Sequence, residues 1–193
     1  MKSLRIIFCI ALIFSGITRA NAQFSDKDLY AAVDLLEAGK VDEGLSQLIA
    51  FPYPESLDDS TDFLALIIRI EVNYELYNAW HVIPDCDHLF TILPSHSDEN
   101  YLDMLNMRAT AKKYSGDLDG SATDLREIMK KNPADQRVYS NLAGVLIHAK
   151  KPEEALKVLH SDPNGMTLGH MPRAAAKAHL MLNQLDSAQH YAA

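Results

Sequence analysis

Cysteine, tryptophan and basic residues are all scarce in this chain. It has two cysteines, one tryptophan, and 18 Lys and Arg against 26 Asp and Glu, for a net charge of −8. Nucleic acid and anionic membrane are poor partners for that balance. No glycine-rich phosphate loop, nucleophile elbow or Glu/His zinc-protease motif is present, so the usual sequence marks of nucleotide, acyl and metal-assisted hydrolysis are missing. A long apolar run is missing too. The longest, residues 6–17, is far below the roughly 20 residues that span a bilayer.

That short run has a different use. Met1-Lys2-Ser3-Leu4-Arg5 precedes it and Ala20-Asn21-Ala22 follows it, the order of basic start, apolar stretch and small-residue cleavage site found in a secretory signal peptide. Residues 1–22 are expected to be removed. The protein is then exported: periplasmic in a two-membraned bacterium, otherwise secreted, with no stable membrane insertion. Cleavage takes Lys2, Arg5 and Arg19 but no acidic residue, so the net charge falls to −11. Cys9 goes as well. Cys86 is then the only cysteine, no intrachain disulfide can form, and the fold rests on packing; a buried thiol is expected there.

The residues that remain are organised by small side chains at a nearly constant interval. Tyr139-x2-Leu142-Ala143-x2-Leu146 is followed by Ala155-x3-Leu159. One interval before Ala143 stands Ala109, within Leu105-x2-Arg108-Ala109-x2-Lys112, followed by Ser121-x3-Leu125 and Pro133. One interval after Ala143 stands Ala176, with Asn183 at a turn and Ala188 beyond. Near the start, Ala31-Ala32-x2-Leu35, Gly39 and Gly44-x3-Leu48 give another copy. This spacing resembles that of the tetratricopeptide repeat, whose period is about 34 residues. The resemblance implies an all-α fold, a right-handed superhelical array of antiparallel helix hairpins. Ala143 and Ala155 are expected to meet where two helices cross.

The stretch from Ala32 to Ala109 is longer than two such periods by roughly nine residues. One enlarged, irregular repeat is expected between them, with the surplus in loops at 52–61 and 94–100. Pro84 either kinks the second helix of that repeat or delays its start to about residue 82. The reading is one domain over 23–193 with repeats at 23–57, 58–97, 102–134, 135–166 and 168–193. The last is incomplete, and its edge is expected to be covered by self-association, by a partner or by further chain. Arg108 and Lys112 depart from the repeat's apolar pattern, and no copy carries its Trp.

Chemistry-bearing clusters are few. Asp85-Cys86-Asp87-His88 with His81 is the densest set of metal-ligand types, but it lacks a clear fourth ligand and is expected to be a solvated polar face. Asp117-Leu118-Asp119-Gly120 reads as a turn with Asp119 capping the next helix, and Asp162-Pro163-Asn164-Gly165 as another turn. No metal, no cofactor and no catalytic residue are expected, and the chain is not expected to be an enzyme.

In the tetratricopeptide family the first helix of each repeat lines the concave face, which implies binding of a protein or peptide. By that resemblance the face would include Asn106, Thr110 and Lys113, then Arg137, Ser140, Asn141 and His148, then Arg173 and Lys177. Arg137, Arg173 and Lys177 would form one basic patch. Leu29, Val33, Leu36, Ala65, Ile68, Val72 and Glu75 would supply an apolar N-terminal end. Of the carboxylate clamp known in some family members, only Asn141 stands in a matching slot, so a looser site for an acidic or carboxylate-bearing partner is expected. An envelope or secretion assembly factor fits that reading. The alternative is an accessory subunit or the repeat half of a larger enzyme.

Overall fold

In a computed structural model of the chain, residues 24–57, 59–93, 99–167 and 169–192 are described. The signal-peptide reading of 1–22 and most of the loop expected at 94–100 lie outside them. Among the described residues there are ten α-helices and no strand: α1 Asp26–Glu37, α2 Val41–Ala50, α3 Ser60–Glu75, α4 Ala79–Ile92, α5 Glu99–Ser115, α6 Leu118–Lys131, α7 Gln136–His148, α8 Pro152–His160, α9 His170–Met181 and α10 Leu185–Ala192. They pair in sequence as five hairpins. The chain divides into two compact units, Met1–Pro94 and Ser95–Ala193, a boundary that the expected single span of 23–193 did not mark. The first unit contains α1 to α4 and the second α5 to α10.

A single local frame repeats in both units. At each hairpin turn one residue has a left-handed backbone: Gly39 (φ 78°), Tyr77 (φ 57°), Gly116 (φ 92°), Lys150 (φ 61°) and Asn183 (φ 56°). At one fixed distance before these lie Ala32, Ile70, Ala109, Ala143 and Ala176, and at another fixed distance after them lie Gly44, Val82, Ser121, Ala155 and Ala188. All ten flanking positions are buried. In four of the turns, Lys40, Asn78, Lys151 and Gln184 donate their backbone N–H to the carbonyls of Leu35, Asn73, Leu146 and His179 at 2.9 Å, the helix-ending bond that a left-handed residue permits.

The crossing residues are small where the helices come closest. At Gly44 an added Cβ would lie 2.7 Å from the Leu36 side chain and 3.0 Å from the Ala32 carbonyl oxygen. Ala143 and Ala155 are both fully buried between α7 and α8. Hairpin α3–α4 keeps the frame with the bulkier Ile70 and Val82, so it is in register despite its longer connections. Its second helix starts at Ala79 and carries Pro84 inside it, so of the two expected alternatives the delayed start near 82 does not hold.

Two expectations fail in unit 1. Leu29, Leu36, Ala65, Ile68 and Val72, expected on an apolar binding surface, are the hydrophobic core joining α1, α2 and α3, together with Ala32, Leu48, Phe51 and Leu64. Helical spacing marks an apolar stripe but not whether a neighbour covers it. The Asp85 cluster is no solvated face either. Asp85 is buried and receives Arg69 Nε at 2.7 Å, Arg69 Nη2 at 2.8 Å and the Tyr53 hydroxyl at 2.7 Å. His88 Nε2 lies 2.8 Å from the Pro54 carbonyl oxygen. Burial first, and then the bond to Asp85, push the Tyr53 phenol up to about 12. Cys86 is a buried thiol in no disulfide.

Unit 2 has the same ion pair one hairpin on. Arg108 Nε and Nη2 donate to Asp124 at 2.9 and 2.8 Å, and Lys112 Nζ stands 3.0 Å from the same carboxylate. These are the two cations that looked foreign to the repeat pattern. A correction also falls on the next turn: Asp117, not Asp119, caps α6, accepting from Gly120 N at 2.9 Å. A side chain at Gly120 would collide with that carboxylate. Asp119 instead meets Lys151 Nζ at 3.1 Å.

Candidate partner-binding face

The first helices of unit 2 are α5, α7 and α9; α7 packs on α9. At the N-terminal end of α7, Asp135 caps the helix by accepting from Arg137 N at 3.0 Å. The same carboxylate holds the Arg137 guanidinium, with Nε–Oδ1 at 2.9 Å and Nη2–Oδ2 at 2.8 Å. That bond keeps the Asp135 carboxyl below its ordinary range. Arg137 is therefore exposed but already neutralised.

One turn along α7, Asn141 Nδ2 donates to Asn106 Oδ1 of α5 at 3.2 Å. The two amides stand over a cleft of about 400 Å³ lined by Asp103 and Asn106 of α5, Lys131 and Asn132 at the end of α6, and Asp135, Arg137 and Asn141 of α7. Leu102, Ile128 and Val138 supply its apolar wall. Each Asn retains unused donor and acceptor capacity, so the cleft can bond a polar main chain while burying an apolar side chain.

A second group of cations lies further along these helices. His148, the last residue of α7, is exposed; partial burial, then the charges of Lys113 on α5, Lys177 on α9 and Lys150 in the turn, hold its imidazole below the ordinary value. Lys113 also lies 5.8 Å from the Tyr114 ring centroid. Arg173 is exposed one helical turn before Lys177, on the same side of α9. Of the residues expected to bind, Asn106, Arg137 and Asn141 come together at the cleft, while Lys113, His148 and Lys177 come together at the turn end. Thr110 is half-buried on α5, and Ser140 is buried.

Sequence reasoning missed Lys131, Asn132 and Asp135, which line the cleft from loop and helix-end positions. It also missed Lys150. The signal for Lys150 was available: it stands one repeat after Gly116, at the equivalent turn position. Among the described residues no group of three or more His, Cys, Asp or Glu is placed to hold a metal ion, and no helix is long and apolar enough to cross a membrane.

The family model described as tetratricopeptide repeat matches residues 114–164, from the end of α5 to the turn after α8. Two solved structures share the fold. One, described as the crystal structure of MamA, is 10% identical with a TM-score of 0.67, covering 83% of this chain and 89% of that one. The other, described as the crystal structure of MamA protein, has the same identity and TM-score and covers 86% and 89%. No curated protein matches. The family match covers residues 114–164, and the two solved structures share the chain's all-helical fold of antiparallel hairpins.

Proposed function

We propose that this protein is an exported interaction scaffold, without catalysis of its own, that binds an acidic or carboxylate-bearing segment of a protein partner on the first-helix face of unit 2. The observation that carries this reading is the Asn106–Asn141 pair joining two successive first helices over the cleft. Paired side-chain amides at the mouth of a partly apolar pocket suit an extended peptide, whose main chain offers alternating donors and acceptors. An envelope or secretion assembly factor is the client class that the export signal favours.

Photo-crosslinking from position 132, which also lines the cleft, in the native host provides the test. The wild-type chain should capture a discrete partner that an N106A/N141A double variant loses while melting at the same temperature. Equal capture by both would remove the cleft from the site. Export is tested separately by N-terminal sequencing of the mature protein, which should begin at Gln23.

A further inference from the structure

We infer that Lys113, His148, Lys150 and Lys177 form a docking site for a run of carboxylates within a partner segment, rather than for a single terminal carboxylate. The inference rests on the reading that unit 2 binds a protein segment, and it assigns a different end of that face to a different chemistry.

Charge is the first argument. The chain is acidic overall, and most of its well-placed cations are neutralised: Arg69 by Asp85, Arg108 and Lys112 by Asp124, Arg126 by Glu154, Arg137 by Asp135 and Lys151 by Asp119. Among the described residues Lys113, His148, Lys150 and Lys177 have no carboxylate partner. They come from three separate segments: Lys113 and His148 each lie seven residues beyond Asn106 and Asn141, whose hydrogen bond joins α5 to α7, Lys150 follows in the turn, and Lys177 is on α9, which packs on α7; the three lysines act together on His148. Four cations set close together without a carboxylate among them make a repulsive cluster that an anion relieves.

Backbone is the second. Basic residues in a last helical turn offset the helix dipole, which accounts for His148 and for Lys113. It does not account for Lys150. That residue lies beyond α7 in the left-handed conformation, where the flanking turns of the same unit use Gly116 and Asn183. Glycine takes this conformation without strain and a lysine does not. The strained turn sets a lysine two residues beyond His148.

Geometry sets the ligand class. A lysine ammonium is a point charge, without the planar fork that grips one carboxylate through two parallel bonds. Three ammonium groups and an imidazole on separate segments are better matched by several carboxylates along a chain, such as consecutive Glu or Asp. Arg173, one turn from Lys177, extends the row.

The probe is hexaglutamate with both ends blocked, titrated into the full chain by calorimetry. It should bind, as tightly as the same peptide with a free C-terminus, and should weaken at least tenfold between about 50 and 200 mM salt. A K113Q/K150Q/K177Q variant should lose at least tenfold in affinity. Lys150→Gly separates binding from folding, because it should raise the melting temperature and still weaken binding. Failure of blocked hexaglutamate to bind, or equal binding by the triple variant, overturns the inference. So does dependence on a free terminus, or equal affinity for a short single-stranded DNA. If hexaglutamate is inert while N106A/N141A still loses the cellular partner, the scaffold reading stands and this inference alone falls.

Discussion

Hairpins α5–α6 and α7–α8 fold on the same frame yet fill it with opposite chemistry. Arg108, Lys112 and Asp124 occupy the positions that Leu142, Leu146 and Val158 occupy one repeat later. The first three form an ion network whose Asp124 side chain is 4% exposed. Leu142 and Leu146 are at most 1% exposed. Hairpin α3–α4, in the other unit, sides with the ionic one: the sequence separation of Arg69 and Asp85 equals that of Arg108 and Asp124. The comparison teaches that the hairpin is fixed by its left-handed turn and its buried crossing residues, while the interior between them tolerates a paired charge as well as a hydrocarbon. Pairing is the condition, because half a buried ion pair costs far more than none.

The largest expected effect follows from that asymmetry. Asp124→Ala leaves Arg108 and Lys112 facing each other in a buried site and should destabilise unit 2 by about 3–5 kcal/mol, measured by urea unfolding. Replacing all three by the residues of the next hairpin, R108L/K112L/D124V, should return stability to wild type or exceed it by about 1–4 kcal/mol. A triple variant as unstable as Asp124→Ala would break the equivalence of the two hairpins. Asp85→Ala should be at least as costly as Asp124→Ala, because the Arg69 side chain is 7% exposed against 16% for Arg108.

Next in size is overpacking at the crossings. Gly44→Ala forces the Leu36 side chain and the α1 backbone aside, and Ala143→Leu fills a site with no free space. Each should cost about 1–3 kcal/mol in thermal unfolding. Unchanged melting in either would undermine the shared frame. A smaller effect of opposite sign is expected at the turns. Lys150→Gly should stabilise by about 1 kcal/mol, the strain of an L-residue in the left-handed region, whereas Gly116→Lys should destabilise by a similar amount.

The smallest effect is electrostatic. The His148 imidazole titrates lower in the folded chain than its ordinary value. The unfolded state therefore binds the proton first as pH falls. The associated stability is fully present above about pH 6.5 and is lost as pH drops through the folded value. Imidazole NMR should show His148 titrating closer to its ordinary value in the K113Q/K150Q/K177Q variant. An unchanged titration there would separate His148 from the lysines.

Much of the hairpin plan is legible in the sequence, because Ala109, Ala143 and Ala176 recur at a near-constant interval and carry a steric requirement that can be read directly. The two ionic hairpins are not. Arg69 and Asp85 lie on different helices, and nothing local links them, so Asp85 reads as a metal-ligand type and Arg108 as a flaw in the repeat. The same blindness misassigns Leu29, Ile68 and Val72. Their spacing shows an apolar stripe, while the neighbour that covers it is set by packing between helices. At the candidate site, Asn106 and Asn141 are legible from first-helix spacing. Asp135 and Lys150 are not apparent in that way, since a helix cap and a strained turn residue carry no amphipathic signal.

The constant spacing within hairpins has a consequence for how this chain tolerates change. The intervals from Gly39 to Tyr77 and from Tyr77 to Gly116 are longer than those from Gly116 to Lys150 and from Lys150 to Asn183, whereas the buried partners of each turn never shift. All variation in length therefore falls between hairpins. Each hairpin behaves as a cassette, and the exposed stretch at 55–57, beyond the Phe51, Tyr53 and Pro54 contacts, is a natural splice point. A tag, a cleavage sequence or a grafted epitope placed there should leave every cassette intact, whereas one extra residue between Gly39 and Gly44 would rotate α2 by about 100° and scramble its buried face.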